Sequence, residues 1–169
     1  MGFKMLGLLA ISVLVCGTAV IGAPEKSIVG GGTETMLGQW TPGEGNIAPG
    51  AKIRNWTAPY QDIVIGPGGV PTLATGIGPV TMNCNLDDSL TGPCWGTFEF
   101  GNETGTWVGT WQGTFNFLTG AGSYHAIGHG QAGLRGMVLE NDVVYPGGAF
   151  PGPQGGPIGY VYSTVKSVN

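Results

Sequence analysis

The stretch Trp95–Leu118, WGTFEFGNETGTWVGTWQGTFNFL, decides the fold. From Thr106 onward it alternates without interruption. Trp107, Gly109, Trp111, Gly113, Phe115 and Phe117 fall on one face; Thr106, Val108, Thr110, Gln112, Thr114 and Asn116 fall on the other. A period of two belongs to a β-strand with one buried face, since a helix would mix the two sets. The buried set holds only aromatics and glycines, which suits a tightly curved sheet around a closed interior.

Composition agrees once one contrary signal is weighed. Glycine accounts for 34 of the 169 residues and proline for 12, a level that often marks disorder. Disordered chains, however, are rich in charge and poor in aromatics. Here charged residues are only 9% and the glycines are interleaved with Trp, Phe, Tyr, Val and Ile at strand period. Glycine at such places serves turns, bulges and close sheet packing. One all-β domain, residues 34–169, is expected.

Residues 1–23 read as a signal peptide: Lys4, an apolar run from Leu6 to Ile21, then Gly22 and Ala23 before Pro24. Cleavage after Ala19 or Ala23 is open, and an uncleaved anchor is the alternative, because the run approaches the length of a membrane span. Residues 24–33 read as a flexible leader. Without Lys4, five scattered basic residues face ten acidic ones. No basic patch exists to neutralise phosphates, so nucleic acid is not an expected partner. A secreted or periplasmic location is expected, with no membrane span left after cleavage.

Cys16 departs with the signal, leaving Cys84 and Cys94. In an oxidising compartment the simplest state of the pair is a disulfide clipping the turn-rich loop NLDDSLTGP, with free thiols as the alternative. No nearby His or third Cys completes a zinc tetrahedron. Asn83, Asn85, Asp87 and Asp88 alternate like a calcium loop but lack its glycine and its bidentate Glu; a turn capped by Asn and Asp side chains fits better. No metal and no cofactor is expected.

Along the chain, strands are expected at Glu34–Thr41, Ala51–Thr57, Tyr60–Ile65, Val80–Asn85, Trp95–Phe100, Thr106–Leu118, Ser123–Gly133, Leu134–Asn141 and Tyr160–Val165, with a Pro/Gly loop over 146–159. Eight or nine strands joined by sequential hairpins favour a small closed antiparallel up-and-down barrel, because closure removes exposed edges.

Two segments, NLDDSLTGPCWGTFEF with GTWVGTWQGTF and GSYHAIGHGQAGLRGMVL, resemble a group of bacterial exported proteins of unknown function. These in turn are similar to the allene oxide cyclase-like barrels. The resemblance covers roughly residues 80–140 and implies a small eight-stranded antiparallel barrel. Its motifs are structural, and no cyclase residue carries over.

The residues able to carry chemistry are few. Trp107, Trp111 and Phe115 form an aromatic stripe that is either the core of a filled barrel or the wall of an apolar ligand cavity, with Tyr124 placed to orient a guest through its hydroxyl. Arg54, sharing a face with Lys52 and Trp56, is either an exposed strand residue or a partner for an acidic group. His125 and His129, four apart on one strand face, lie ~13 Å from each other and cannot share a metal directly. Tyr124, His129 and Arg54 are thus the catalytic candidates for a cyclase- or isomerase-type enzyme that needs only a shaped cavity and one or two polar groups. The favoured expectation is a barrel that binds a small apolar or amphiphilic ligand; a solid structural barrel is the third reading.

Overall fold

The computed structural model describes residues 27–148 and 159–168. The expected signal peptide lies outside them, as does most of the expected loop over 146–159. Eight strands follow in order: β1 (Ser27–Met36), β2 (Lys52–Ile65), β3 (Gly76–Asn85), β4 (Thr91–Gly101), β5 (Gly105–Asn116), β6 (Ala121–Ala132), β7 (Met137–Pro146) and β8 (Gly159–Ser167). Each pairs antiparallel with its neighbour in sequence, and β8 pairs back onto β1 to close the barrel. The Thr106–Phe117 alternation lies as read, with Trp107, Trp111 and Phe117 buried inside and Thr110, Gln112 and Thr114 exposed outside.

Three differences from the sequence expectation have physical causes. Ser27–Gly32, expected in a leader, form the first half of β1 and close the barrel against Ile65–Val64 on one side and Lys166–Val161 on the other. The glycines that suggest a linker serve a close approach. A Cβ on Gly32 would stand 1.8 Å from the carbonyl oxygen of Ile63, so no larger residue fits that seam.

Two expected strands on either side of Pro59 are one. Pro59 sits directly opposite Pro79 of β3, and its carbonyl accepts from the Leu37 amide on the other edge, so the N–H it lacks is not one that the β2–β3 ladder uses. The same strand carries a bulge between Ile53 and Trp56, with Asn55 at φ 56°. The extra residue turns Trp56 inward while Arg54 stays outside, so the expected shared face of Arg54 and Trp56 is broken. Finally, Leu134 belongs to a turn before β7 rather than to a strand; its amide donates to Gln131 O and its side chain plugs the barrel.

The disulfide joins Cys84 and Cys94, which are register partners on β3 and β4 with Cα atoms 4.2 Å apart. Asp87 caps the turn between them, accepting from the Ser89 amide, the Ser89 hydroxyl and the Thr91 amide. Those bonds lower its pKa, the Ser89 hydroxyl contributing most. No helix among the described residues is long and apolar enough to cross a membrane.

The two ends of the barrel differ. At the end carrying the β4–β5 and β6–β7 turns, Phe100, Trp107, Leu134, Leu139 and Val64 are fully enclosed and fill the interior. Trp107 is 0% exposed, and its indole donates to Leu73 O at 2.8 Å. At the other end, bounded by residues 37–51 and by the β5–β6 turn, the described residues leave part of the interior unfilled.

Candidate functional site

The unfilled end is a cavity of about 40 Å3 lined by Met36, Trp40, Tyr60, Val80, Met82, Trp111, Phe115, Tyr124 and Tyr145, with Glu34 among them. A water molecule needs roughly 10–15 Å3 on this measure. The space therefore takes a group of a few heavy atoms without any movement of its walls.

Strand parity explains the lining. On β1, Glu34 and Met36 face inward; on β2, Ala58, Tyr60, Asp62 and Val64 do. On β7 the inward set is Leu139, Asn141, Val143 and Tyr145. Four polar residues are thereby buried in an apolar barrel: Glu34 is 2% exposed and Asp62 1%, with Asn141 and Ser163 equally enclosed.

These residues form a connected chain. The Ser163 hydroxyl donates to Asn141 Oδ1 at 2.6 Å, and Asn141 Nδ2 donates to Asp62 Oδ2 at 3.3 Å. Asp62 is hydrogen-bonded to Glu34, which also accepts one bond from each of the Tyr124 and Tyr145 hydroxyls, on different carboxylate oxygens. Two carboxyl groups in a hydrogen bond need a proton between them. Burial, then the Glu34 charge and the shared bond, hold Asp62 well above the usual carboxylate range. Burial also raises Glu34, but its three hydrogen bonds, led by Tyr124, oppose that shift. Two tyrosine hydroxyls donate to Glu34 and a single amide donates to Asp62, so the donor geometry favours the charge on Glu34 and the proton on Asp62.

The tyrosines are held in place by aromatic contacts. Tyr124 lies 5.3 Å from Trp111 between ring centroids, and Tyr145 lies 5.7 Å from Phe115. Gly159, the β8 partner of Glu34, leaves the space that the Tyr145 ring occupies; a Cβ there would stand 2.9 Å from the ring. Burial, with the nearby Glu34 and Asp62, pushes the Tyr60 and Tyr124 phenols well above their usual range, and Tyr145 likewise. All three stay protonated as donors at neutral pH.

Trp40 stands on an irregular continuation of β1 that follows β2 through the Thr41–Thr57 and Glu44–Arg54 bridges. Its indole nitrogen is buried and has no acceptor among the described residues.

Of the residues singled out from sequence, Trp111, Phe115 and Tyr124 come together around this cavity. Trp107 lies in the filled end. His129 is exposed on the outer face, and His125 pairs with Asp142 at 2.8 Å, also outside. Arg54 is outside as well, bonded to Ile53 O, Cys84 O and Asn85 Oδ1 and stacked 5.1 Å from the Trp95 ring. Neither His129 nor Arg54 lines the cavity. Sequence reading missed Glu34, Asp62, Tyr145, Asn141 and Ser163.

No family model matches the chain, and neither does any curated protein or solved structure, so the architecture and site stand on this chain's own strand pairing and side chains.

Proposed function

We propose that the protein is an exported barrel that binds a small amphiphilic molecule in the cavity over Glu34. The observation that carries this reading is the cavity itself, with aromatic and methionine walls and, just behind them, a Glu34 carboxylate capped by the hydroxyls of two tyrosines. Pockets that hold small ligands combine apolar walls with a few placed polar groups. A core evolved only for stability would gain by replacing the Glu34–Asp62 pair with apolar residues, since buried charge is costly and well-packed apolar replacements are often neutral or stabilising. Export is in keeping with the Cys84–Cys94 disulfide.

The test is NMR of methionine methyl groups during titration with alcohols of graded length, from butanol to octanol. Met36 and Met82 line the cavity, whereas Met137 packs against the core elsewhere. Saturable shifts at Met36 and Met82, with Met137 unmoved, are expected. Methyls that stay still across the whole series would overturn the reading.

A second reading is proton-transfer catalysis of the isomerase or cyclase type. It is favoured by one observation: Glu34, which lines the cavity, is buried directly opposite a second carboxyl, Asp62, and burial of this kind raises carboxyl pKa values as acid–base catalysis requires. Glu34 would take a proton and Tyr124 would donate to a developing oxyanion. On that reading, Glu34→Gln removes turnover while leaving the alcohol-induced methyl shifts in place.

A further inference from the structure

The charge balance of the barrel interior narrows the class of ligand, and the argument rests on the binding reading above. Glu34 is fully enclosed, the two side chains that donate to its carboxylate are the neutral hydroxyls of Tyr124 and Tyr145, and its register partner Asp62 supplies no positive charge. The cations of the described strands are elsewhere. Arg54 is bonded on the outer face, Lys166 pairs with Glu140 at 3.1 Å outside, and Lys52 is exposed. Hydrogen bonds spread the carboxylate charge but do not cancel it. A buried charge without a counter-ion is strongly disfavoured in a low-dielectric interior.

The walls supply the other half of a recognisable arrangement. Trp40, Tyr60, Trp111, Phe115, Tyr124 and Tyr145 surround the space above Glu34. Aromatic faces attract cations through the ring quadrupole, and cages of several rings accommodate ammonium groups too weakly hydrated to prefer water. An anion would meet the Glu34 charge with no compensating cation. A neutral apolar guest would leave that charge as it is. Only a cation gains from both the walls and the floor.

We infer that this cavity takes a small organic cation, an ammonium or methylated-amine head, with the Glu34 carboxylate as its counter-charge and the aromatic side chains as its walls.

The experiment compares isosteric pairs that differ only in charge: choline against 3,3-dimethyl-1-butanol, and butylammonium against 1-butanol. Binding is read by calorimetry and by the Met36 and Met82 methyl shifts. The cation of at least one pair is expected to bind tighter than its neutral partner by about tenfold or more, the size of one desolvated cation–aromatic or ion-pair contact. Glu34→Gln, which keeps the size of the side chain and one acceptor oxygen while its NH2 must donate to the second tyrosine, should bring that ratio close to one and leave neutral binding intact. Should that variant fail to fold, Trp111→Leu serves in its place, lowering cation affinity more than alcohol affinity. Equal affinity for cation and alcohol in both pairs would overturn the inference while leaving the binding reading standing. If no member of either pair moves the methyls, both fall.

Discussion

Glu34 of β1 and Asp62 of β2 are direct register partners across an antiparallel pair, and both point into the barrel. Like charges directly opposite destabilise a sheet pair, and inside a barrel no water screens them. The pair persists because it carries one proton rather than none.

A pH dependence follows with a definite sign. Native Asp62 keeps its proton well above the pH at which an unfolded aspartate, of pKa about 3.9, has lost it. Between those values the native state binds more protons than the unfolded state, so stability falls as pH rises, by up to about 1.4 kcal/mol per pH unit. Asp62→Asn keeps an acceptor for Asn141 and a donor for Glu34 without titrating. Urea midpoints measured from pH 4 to 8 should decline in the wild type relative to the variant, and the variant should be the more stable at pH 8. Parallel curves would show that the pair does not share a proton. Exposed groups such as Asp87 and His125 are common to both proteins and cancel in the comparison.

Reducing the disulfide should cost about 2–3 kcal/mol, the chain-entropy value for a loop of this length. Urea denaturation with and without reductant measures it. The Cys84→Ser/Cys94→Ser protein should match the reduced wild type.

Adjacent glycines in β1 should behave differently. Gly32→Ala drives a methyl into the Ile63 backbone, whereas Gly31→Ala meets nothing nearer than 3.8 Å. The first is expected to cost about 1–3 kcal/mol or to prevent closure; the second should lie within about 0.5 kcal/mol of wild type. Thermal melts of the two variants decide it, and equal losses would mean the seam is looser than it looks.

Trp107→Ala and Trp111→Ala separate the two ends of the barrel. Removing Trp107 from the filled end should cost about 3–5 kcal/mol and leave alcohol binding at Met36 and Met82 unchanged in any variant that still folds. Removing Trp111 opens one wall of the cavity and deletes a bond to Thr81 O at 2.9 Å. It should alter ligand affinity as well as stability. Titration of both variants in the same methyl assay reads the difference.

How much of this was legible in the chain varies with the kind of signal. Thr106–Phe117 gave its two faces plainly because large rings and threonines alternate, and the Trp95–Leu118 hairpin lies as read. The β1 glycines read as a linker because a sequence does not display the carbonyl that crowds Gly32. Arg54 was grouped with Trp56 because a bulge inserts its extra residue without any sequence mark stronger than an asparagine. The polar floor left a trace that parity alone would find: Ala58, Tyr60, Asp62 and Val64 alternate cleanly, which sets a carboxylate on an apolar face. The same holds for Asn141 between Leu139 and Val143. What no local pattern reveals is that Glu34, Asp62, Tyr124 and Tyr145, drawn from four strands, converge.

Because Trp107, Phe100 and Leu134 seal one end, the barrel is a cup and not a tube. On the binding reading proposed above, a guest over Glu34 would enter and leave by the same rim, near Trp40 and Gly120. Such a vessel can hold, shield or hand over a molecule, but it cannot conduct one through.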